Sequence, residues 1–227
     1  MNAAVPAGFG QVTFAFLGEL AAGRDKAWFD SQRATYESAL VAPFRALVET
    51  VGERLVKLDP SFETAPQFNK TLTRINRDMR FAKGGSPYKD HMLALFYRQG
   101  RKQLDPQLFV GLQPREVWVG LYVGPASLSV DAPIRSAVAD SGRALRAAAR
   151  RAGLGTEDDS VLATCKRYGE VDTVLGGEDL SDFLRGPHLV AMRRVPARKV
   201  VAAGGAFAAH CAQHLIALYP LWRVYAG

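Results

Sequence analysis

The chain has 227 residues, 48% of them apolar, which is enough to bury a full core; 22% charged and 10% aromatic residues exclude wholesale disorder. Two cysteines, Cys165 and Cys211, exclude a disulfide framework and a Cys-rich zinc site. A net charge of +7 points to an anionic partner, such as a nucleotide, phosphorylated metabolite, nucleic acid or acidic protein surface, and says nothing about fold.

The N-terminus MNAAVPAGFGQVTF carries neither a basic n-region nor a long apolar h-region, and no apolar run reaches the ~18 residues a spanning helix needs. A cytoplasmic protein with no membrane partner is expected. From Phe14 to Leu58 the apolar period is helical. Phe14, Leu17 and Leu20 predict a short first helix ended by Gly23, and Asp25 is placed to cap a second. On that second helix Trp28, Phe29, Gln32, Tyr36 and Leu40 recur every three to four residues and mark a buried face. Pro43 lacks a donor, so it either kinks this helix or starts a new one, and the pattern then runs from Phe44 to Leu58.

Beyond Pro66 the period changes to two. Leu108, Val110 and Leu112 alternate with Phe109 and Gly111; after a Pro114-Arg115 turn, Val117, Val119, Leu121 and Val123 alternate with Trp118, Gly120 and Tyr122. This predicts an antiparallel hairpin, with His91 to Tyr97 as a neighbouring strand across a polar loop from Arg98 to Asp105. Trp118 and Tyr122 share a face, suited either to stacking a base or to packing on a helix. The Ala- and Arg-rich stretch from Ala132 to Arg151 reads as a helix with Arg143, Arg146 and Arg150 on one face, and Gly153 to Ser160 as a loop. Strands are expected over Val161 to Tyr168 and Leu189 to Val195, a short helix over Leu180 to Leu184, and a terminal helix over Ala206 to Leu218. The whole reads as an α+β fold with N-terminal helices on a mainly antiparallel sheet and further helices in the C-terminal half. It is expected to form one domain over residues 1–227, divided into a helical part 12–58, a sheet and basic part 67–125, and a C-terminal part 126–227.

The charge is concentrated in one place. Between Lys70 and Asp90 six Lys and Arg residues stand against Asp78 and Asp90, so this stretch supplies +4 of the total. If Thr71 to Phe81 is extended, Arg74, Asn76, Asp78 and Arg80 share a face and Ile75, Arg77, Met79 and Phe81 the other; if it is helical, Arg74, Arg77 and Asp78 cluster and Arg80 turns away. An Asp between two guanidiniums can hold one in place while the other forks onto an external oxyanion. Gly84-Gly85 permits positive φ, and successive N–H groups there, with Lys83 and Lys89 close in sequence, suit an anion-binding turn. The expected ligand set for the anion is therefore Arg74, Arg77, Asp78, Arg80, Lys83, Tyr88 and Lys89. Neighbouring arginines would lower the pKa of Asp78, which favours an orienting role over a basic one, with Tyr88 as a hydrogen-bond donor.

The run TRINRDMRFAK followed by SPYK resembles the signature of the bacterial family catalogued as domain of unknown function 2461, in which an R-I-x-R-D-x-R-F segment precedes a K-x-P-Y-K turn. Trp28-Phe29, Tyr36 and Pro43-Phe44 also stand at the family's W-F, Y and P-F positions, so the resemblance covers roughly residues 14 to 125. One departure is Gly84-Gly85, where the family usually has an Asp-Lys pair. The resemblance implies a site and no particular activity.

Other constellations are weaker. His210 and His214 are spaced i, i+4, but Cys-Ala-Gln between them supplies no base, so a core helix is read there and no metal or cofactor is expected. P-loop, dinucleotide-binding and nucleophile-elbow motifs are absent from the sequence. The function expected is binding of a phosphate- or carboxylate-bearing small molecule. The alternatives are a nucleic-acid-binding module using the same cluster plus the 143–150 helix, or a structural ion network or protein-interaction surface.

Overall fold

In the computed structural model the structure describes residues 8–81, 85–124, 151, 160–167, 170–174 and 189–226, with backbone only for 81, 160–167, 170–174 and 189. The expected helices over 132–151 (all but Arg151) and 180–184, most of the 153–160 loop, and Lys83 and Gly84 lie outside the described residues.

The N-terminal helices follow from the apolar spacing. Helix α1 spans Gln11–Ala21 and buries Phe14, Phe16, Leu17 and Leu20; Gly23 follows its end. Asp25 then caps α2, Lys26–Ser31, its carboxylate accepting the Trp28 N–H at 2.9 Å and so satisfying a donor left unpaired in the first turn. A three-residue turn, α3 (Arg33–Thr35), leads into a π-helical turn, Tyr36–Val41, and then α4, Ala42–Leu55. Pro43 sits in the first turn of α4, so the carbonyl four residues back, at Ala39, loses its helical donor. The buried Thr13 hydroxyl donates to that carbonyl at 2.7 Å, which ties α1 to the widened turn. The predicted second helix is therefore broken at Gln32, and from Arg33 to Leu55 it is one run with a repaired defect at the proline.

Six strands form one antiparallel sheet among the described residues: β1 (Met92–Phe96), β2 (Gln107–Leu112), β3 (Glu116–Val123), β4 (Ser160–Arg167), β5 (Glu170–Val174) and β6 (Leu189–Pro196), in the order β1-β2-β3-β6-β4-β5. The 2-residue period seen in the sequence sorts the two faces. Leu108, Val110 and Leu112 of β2 and Val117, Val119 and Leu121 of β3 join the main core, which also takes in α1, the 36–55 run and the C-terminal helix. Phe109, Val190 and Met192 form a smaller buried cluster with Trp118 and Tyr122 packed against it, so the aromatic pair is placed as packing on the second face.

Two C-terminal helices complete the main layer. Helix α5, Ala197–Ala203, and α6, Ala206–Ala226, meet at 114° across Gly204 and Gly205. Gly204 has φ +52, a conformation L side chains rarely adopt, so the elbow depends on glycine. The spacing of apolar residues predicts an end near Leu218, but α6 runs through Pro220. The lost hydrogen bond there is offset by Leu221, Trp222 and Tyr225, all buried on the same side. The fold is α+β, with helices from both ends of the chain on the antiparallel sheet.

Candidate functional site

The basic segment begins as an extra edge. Thr71 to Thr73 run beside β1: the Leu95 N–H donates to the Thr71 carbonyl at 2.8 Å and the Thr73 N–H to the Leu93 carbonyl at 3.0 Å. The chain then leaves the sheet and doubles back on itself. The Lys89 N–H donates to the Ile75 carbonyl at 2.7 Å and the Arg77 N–H to the Pro87 carbonyl at 2.8 Å, closing the loop at its base. Ile75, fully buried, anchors that base in the core.

Two further contacts fix the loop against the N-terminal helices. The Ser86 hydroxyl donates to the Arg24 carbonyl at 3.0 Å. The Tyr88 ring stacks on Phe29 at 4.4 Å between centroids, and Phe29 in turn meets Tyr36 edge-on at 5.3 Å. Positions that carry the family resemblance in the N-terminal part and in the central motif thus touch in space. Gly85 has φ +99, the left-handed backbone expected of the glycine pair.

Neither the strand nor the helix expected for Thr71 to Phe81 forms throughout. Residues 76–80 are all exposed, and Met79–Phe81 is a 3-10 turn, so alternation between two faces is lost after Ile75. The reason is local. Asp78 accepts the Arg80 backbone N–H at 3.1 Å and its guanidinium at 2.6 Å (Nη2) and 2.9 Å (Nε), offering the chain a turn in place of a ladder. Those bonds hold the Asp78 carboxyl below the usual carboxylate range and raise Arg80. Asp78 is placed as an orienter of Arg80 and poorly suited to accept a proton at neutral pH.

The expected site residues therefore separate. Asp78 and Arg80 occupy each other. Tyr88 is buried, and its hydroxyl pKa is raised by burial first and then by Asp30; the Lys26 and Arg33 charges pull the other way. Those charges belong to α2 and the α2–α3 corner, so the Tyr88 hydroxyl faces that side and its ring is scaffold. Arg74, Arg77 and Lys89 have no carboxylate partner among the described residues, whereas Lys70 meets Glu63 at 3.0 Å. With Ile75 opposite Lys89 and Arg77 opposite Pro87, the three backbones lie within roughly 10 Å of one another.

The structure adds residues that the sequence reading did not include. Arg74 lies 6.0 Å from the Phe68 ring, and together with Arg45 and Arg33 it acts on the Tyr36 hydroxyl. Burial pushes that hydroxyl up to about 12 and Glu37 adds to this, while the three arginines oppose it. Arg45, exposed on α4, therefore extends the basic surface of the central segment onto the helical layer. Its position next to Pro43-Phe44 was the only signal in the sequence, and a lone surface Arg on a helix is ordinarily just solvated.

Residues 12–223 match the family described as conserved hypothetical protein DUF2461. The chain belongs to that family. The match reaches well beyond the stretch from 14 to 125 that carries the resemblance, so the DUF2461 unit includes the C-terminal strands and helices as well as the basic loop. No curated protein matches the chain. Within this DUF2461 chain the described residues of the loop offer positive charge on an open surface, and among them there are no paired carboxylates and no activated nucleophile. Among the described residues no group of three His, Cys, Asp or Glu side chains is arranged to hold a metal ion.

Proposed function

We propose that Arg74, Arg77 and Lys89, with Arg45 beside them, bind the phosphate or carboxylate group of a small anionic molecule. The observation that carries this reading is selective pairing. Lys70 and Arg80 each hold a carboxylate, while the three cations between and after them do not, although the loop bearing them is tied down at Ile75, Ser86 and Tyr88. A fixed loop holding unpaired guanidiniums has less entropy to lose when an oxyanion arrives. Binding is favoured over catalysis, because Arg80 keeps Asp78 ionised and unsuited to act as a base.

The test is isothermal titration of wild type and an Arg77→Ala/Lys89→Ala double variant with inorganic phosphate and pyrophosphate at low ionic strength, with melting temperatures in parallel. The expected outcome is at least a tenfold loss of affinity with a near-unchanged melting temperature, and weaker wild-type binding as salt is added. Equal binding by both proteins, or no binding by wild type, contradicts the proposal. Tighter retention of duplex DNA than of pyrophosphate, falling by about 0.9 log units per log unit of salt for each phosphate contacted, would favour the nucleic-acid reading instead.

A further inference from the structure

A second feature lies on the helix-covered face of the sheet, where β3 and β6 run beneath the elbow of α5 and α6. Val119 of β3 and Val195 of β6 both pack on the main-core side. Above them the elbow does not close. A cavity of about 340 Å³ remains, lined by Val119 and Val195 from the sheet and by Ala203, Phe207, Cys211 and His214 from the helices. This is within the range of about 300–1,000 Å³ usual for small-molecule sites. Lys199 and His210 also border the cavity; both are exposed, so they stand at its mouth.

The interior offers one open polar atom. Cys211 is buried and desolvation pushes its thiol up, so it contributes apolar surface and not a thiolate. Arg193, which also lines the cavity, already has a partner within the protein. His214 differs. Burial chiefly, with the Arg193 charge, lowers its pKa to about 4, so the ring is neutral at pH 7 and carries a single N–H. That N–H donates to the Val119 carbonyl, which puts the proton on Nδ1. Nε2 is left with a lone pair, buried and without a hydrogen-bond partner. An orphaned buried acceptor costs free energy until a donor reaches it.

We propose that this cavity binds a compact neutral hydroxy-aryl molecule, whose O–H donates to His214 Nε2 and whose body packs against Val119, Val195, Ala203 and Phe207. The lone pair selects a donor and repels an anion. A phenolic O–H is a stronger donor than an aliphatic one because its proton is more acidic, yet it stays uncharged at pH 7, so no ionic hydration is lost on entry. His214 lines the cavity but Nε2 itself is covered, so the donor engages it with a slight turn of the ring about its side-chain bonds. The site is separate from the loop of Arg74, Arg77 and Lys89 and does not depend on it.

The experiment uses phenol as the probe on the full chain at pH 7, with anisole, which lacks the donor, and benzoate, which carries a charge, as comparators. Titration calorimetry and ligand-observed NMR give the affinities, and the ring-nitrogen resonances of the histidines report hydrogen bonding at Nε2. Saturable phenol binding is expected, about tenfold tighter than anisole or benzoate, with the His214 Nε2 resonance moving to lower frequency. His214→Phe keeps an aromatic ring on α6 but removes the acceptor, and should abolish the preference for phenol over anisole. Ala203→Leu, which fills the cavity, should weaken phenol and anisole alike, by about tenfold. Absence of saturable phenol binding, anisole or benzoate binding as tightly as phenol, an unmoved Nε2 resonance, a phenol preference kept by His214→Phe, or full binding by Ala203→Leu overturns the proposal. If His214→Phe does not fold, the wild-type Nε2 resonance and Ala203→Leu with a wild-type circular dichroism spectrum decide.

Discussion

Two basic stretches in this chain use the same residue types to opposite ends. In the loop from Arg98 to Asp105, the Asp105 side chain is 1% exposed and takes Arg98 through Nε and Nη2 at 2.8 Å each, the Arg98 backbone N–H at 3.1 Å and Arg101 Nε at 2.8 Å. Arg98 further donates to the Ala226 carbonyl and lies 5.7 Å from the Trp222 ring, so this loop locks the C-terminal helix to the sheet. In the segment from Arg74 to Lys89, the Asp78–Arg80 pair is half or more exposed on both sides, and Arg74, Arg77 and Lys89 form no ion pair with a carboxylate among the described residues. The first arrangement is saturated and structural. The second holds charge in reserve, and this contrast, more than the count of arginines, supports a ligand site there.

The largest test of this contrast is Asp105→Ala. Removing the shared acceptor strands two guanidiniums, one of them mostly buried, and should cost roughly 3 kcal/mol in chemical denaturation. Asp78→Ala should leave the denaturation midpoint essentially unchanged, because both partners already face water. A comparable loss at both positions would break the distinction. Acid titration sharpens it. Desolvation raises Asp105, but hydrogen bonds from Arg98 and Arg101 outweigh it and hold the group below its ordinary value. Its contribution is present above about pH 4 and is lost as pH falls through its folded pKa, a limb that Asp105→Ala should lack.

An effect of at most similar size, in a different window, is expected of His214. Its folded pKa near 4 lies below the ordinary 6.5, so between those values the unfolded chain binds a proton that the native one refuses. Stability should fall as pH drops from 6.5 toward 4, by up to about 3 kcal/mol and less where the ring stays partly solvated. Arg193 facing the ring from β6 opposes its protonation, while the Val119 carbonyl on β3 favours it; Lys199 and His210 line the same cavity. His214→Gln should flatten this limb in pH-dependent thermal melts. An unchanged slope would contradict the neutral buried ring.

Much of the frame was legible in the sequence because it rests on periodicity. The α1 stop, the Asp25 cap, the 107–123 hairpin, β1, β4 and β6 all follow from spacing or turn chemistry. What escaped was set by tertiary contact. Strand β5 is five residues, and α5 is one short helix behind Pro196, so neither had enough periodic residues to read. The end of α6 is read at Leu218, but the helix continues through Pro220, whose cost is offset by burial of Trp222, whose indole N–H donates to the Pro106 carbonyl at 2.8 Å. In the candidate site, residue identity located the loop, but not that Asp78 and Arg80 would consume each other or that Tyr88 would stack on Phe29. The Arg98–Asp105 network read as a polar loop, because nothing local shows that a carboxylate is 1% exposed.

The most direct test of the anion surface is a crystal of the full chain soaked in tungstate, located by anomalous scattering. An ordered anion within hydrogen-bond reach of Arg74, Arg77 or Lys89, and lost in the Arg77→Ala/Lys89→Ala variant, is the result expected. Anions ordered elsewhere, with none at these three side chains, would contradict the account.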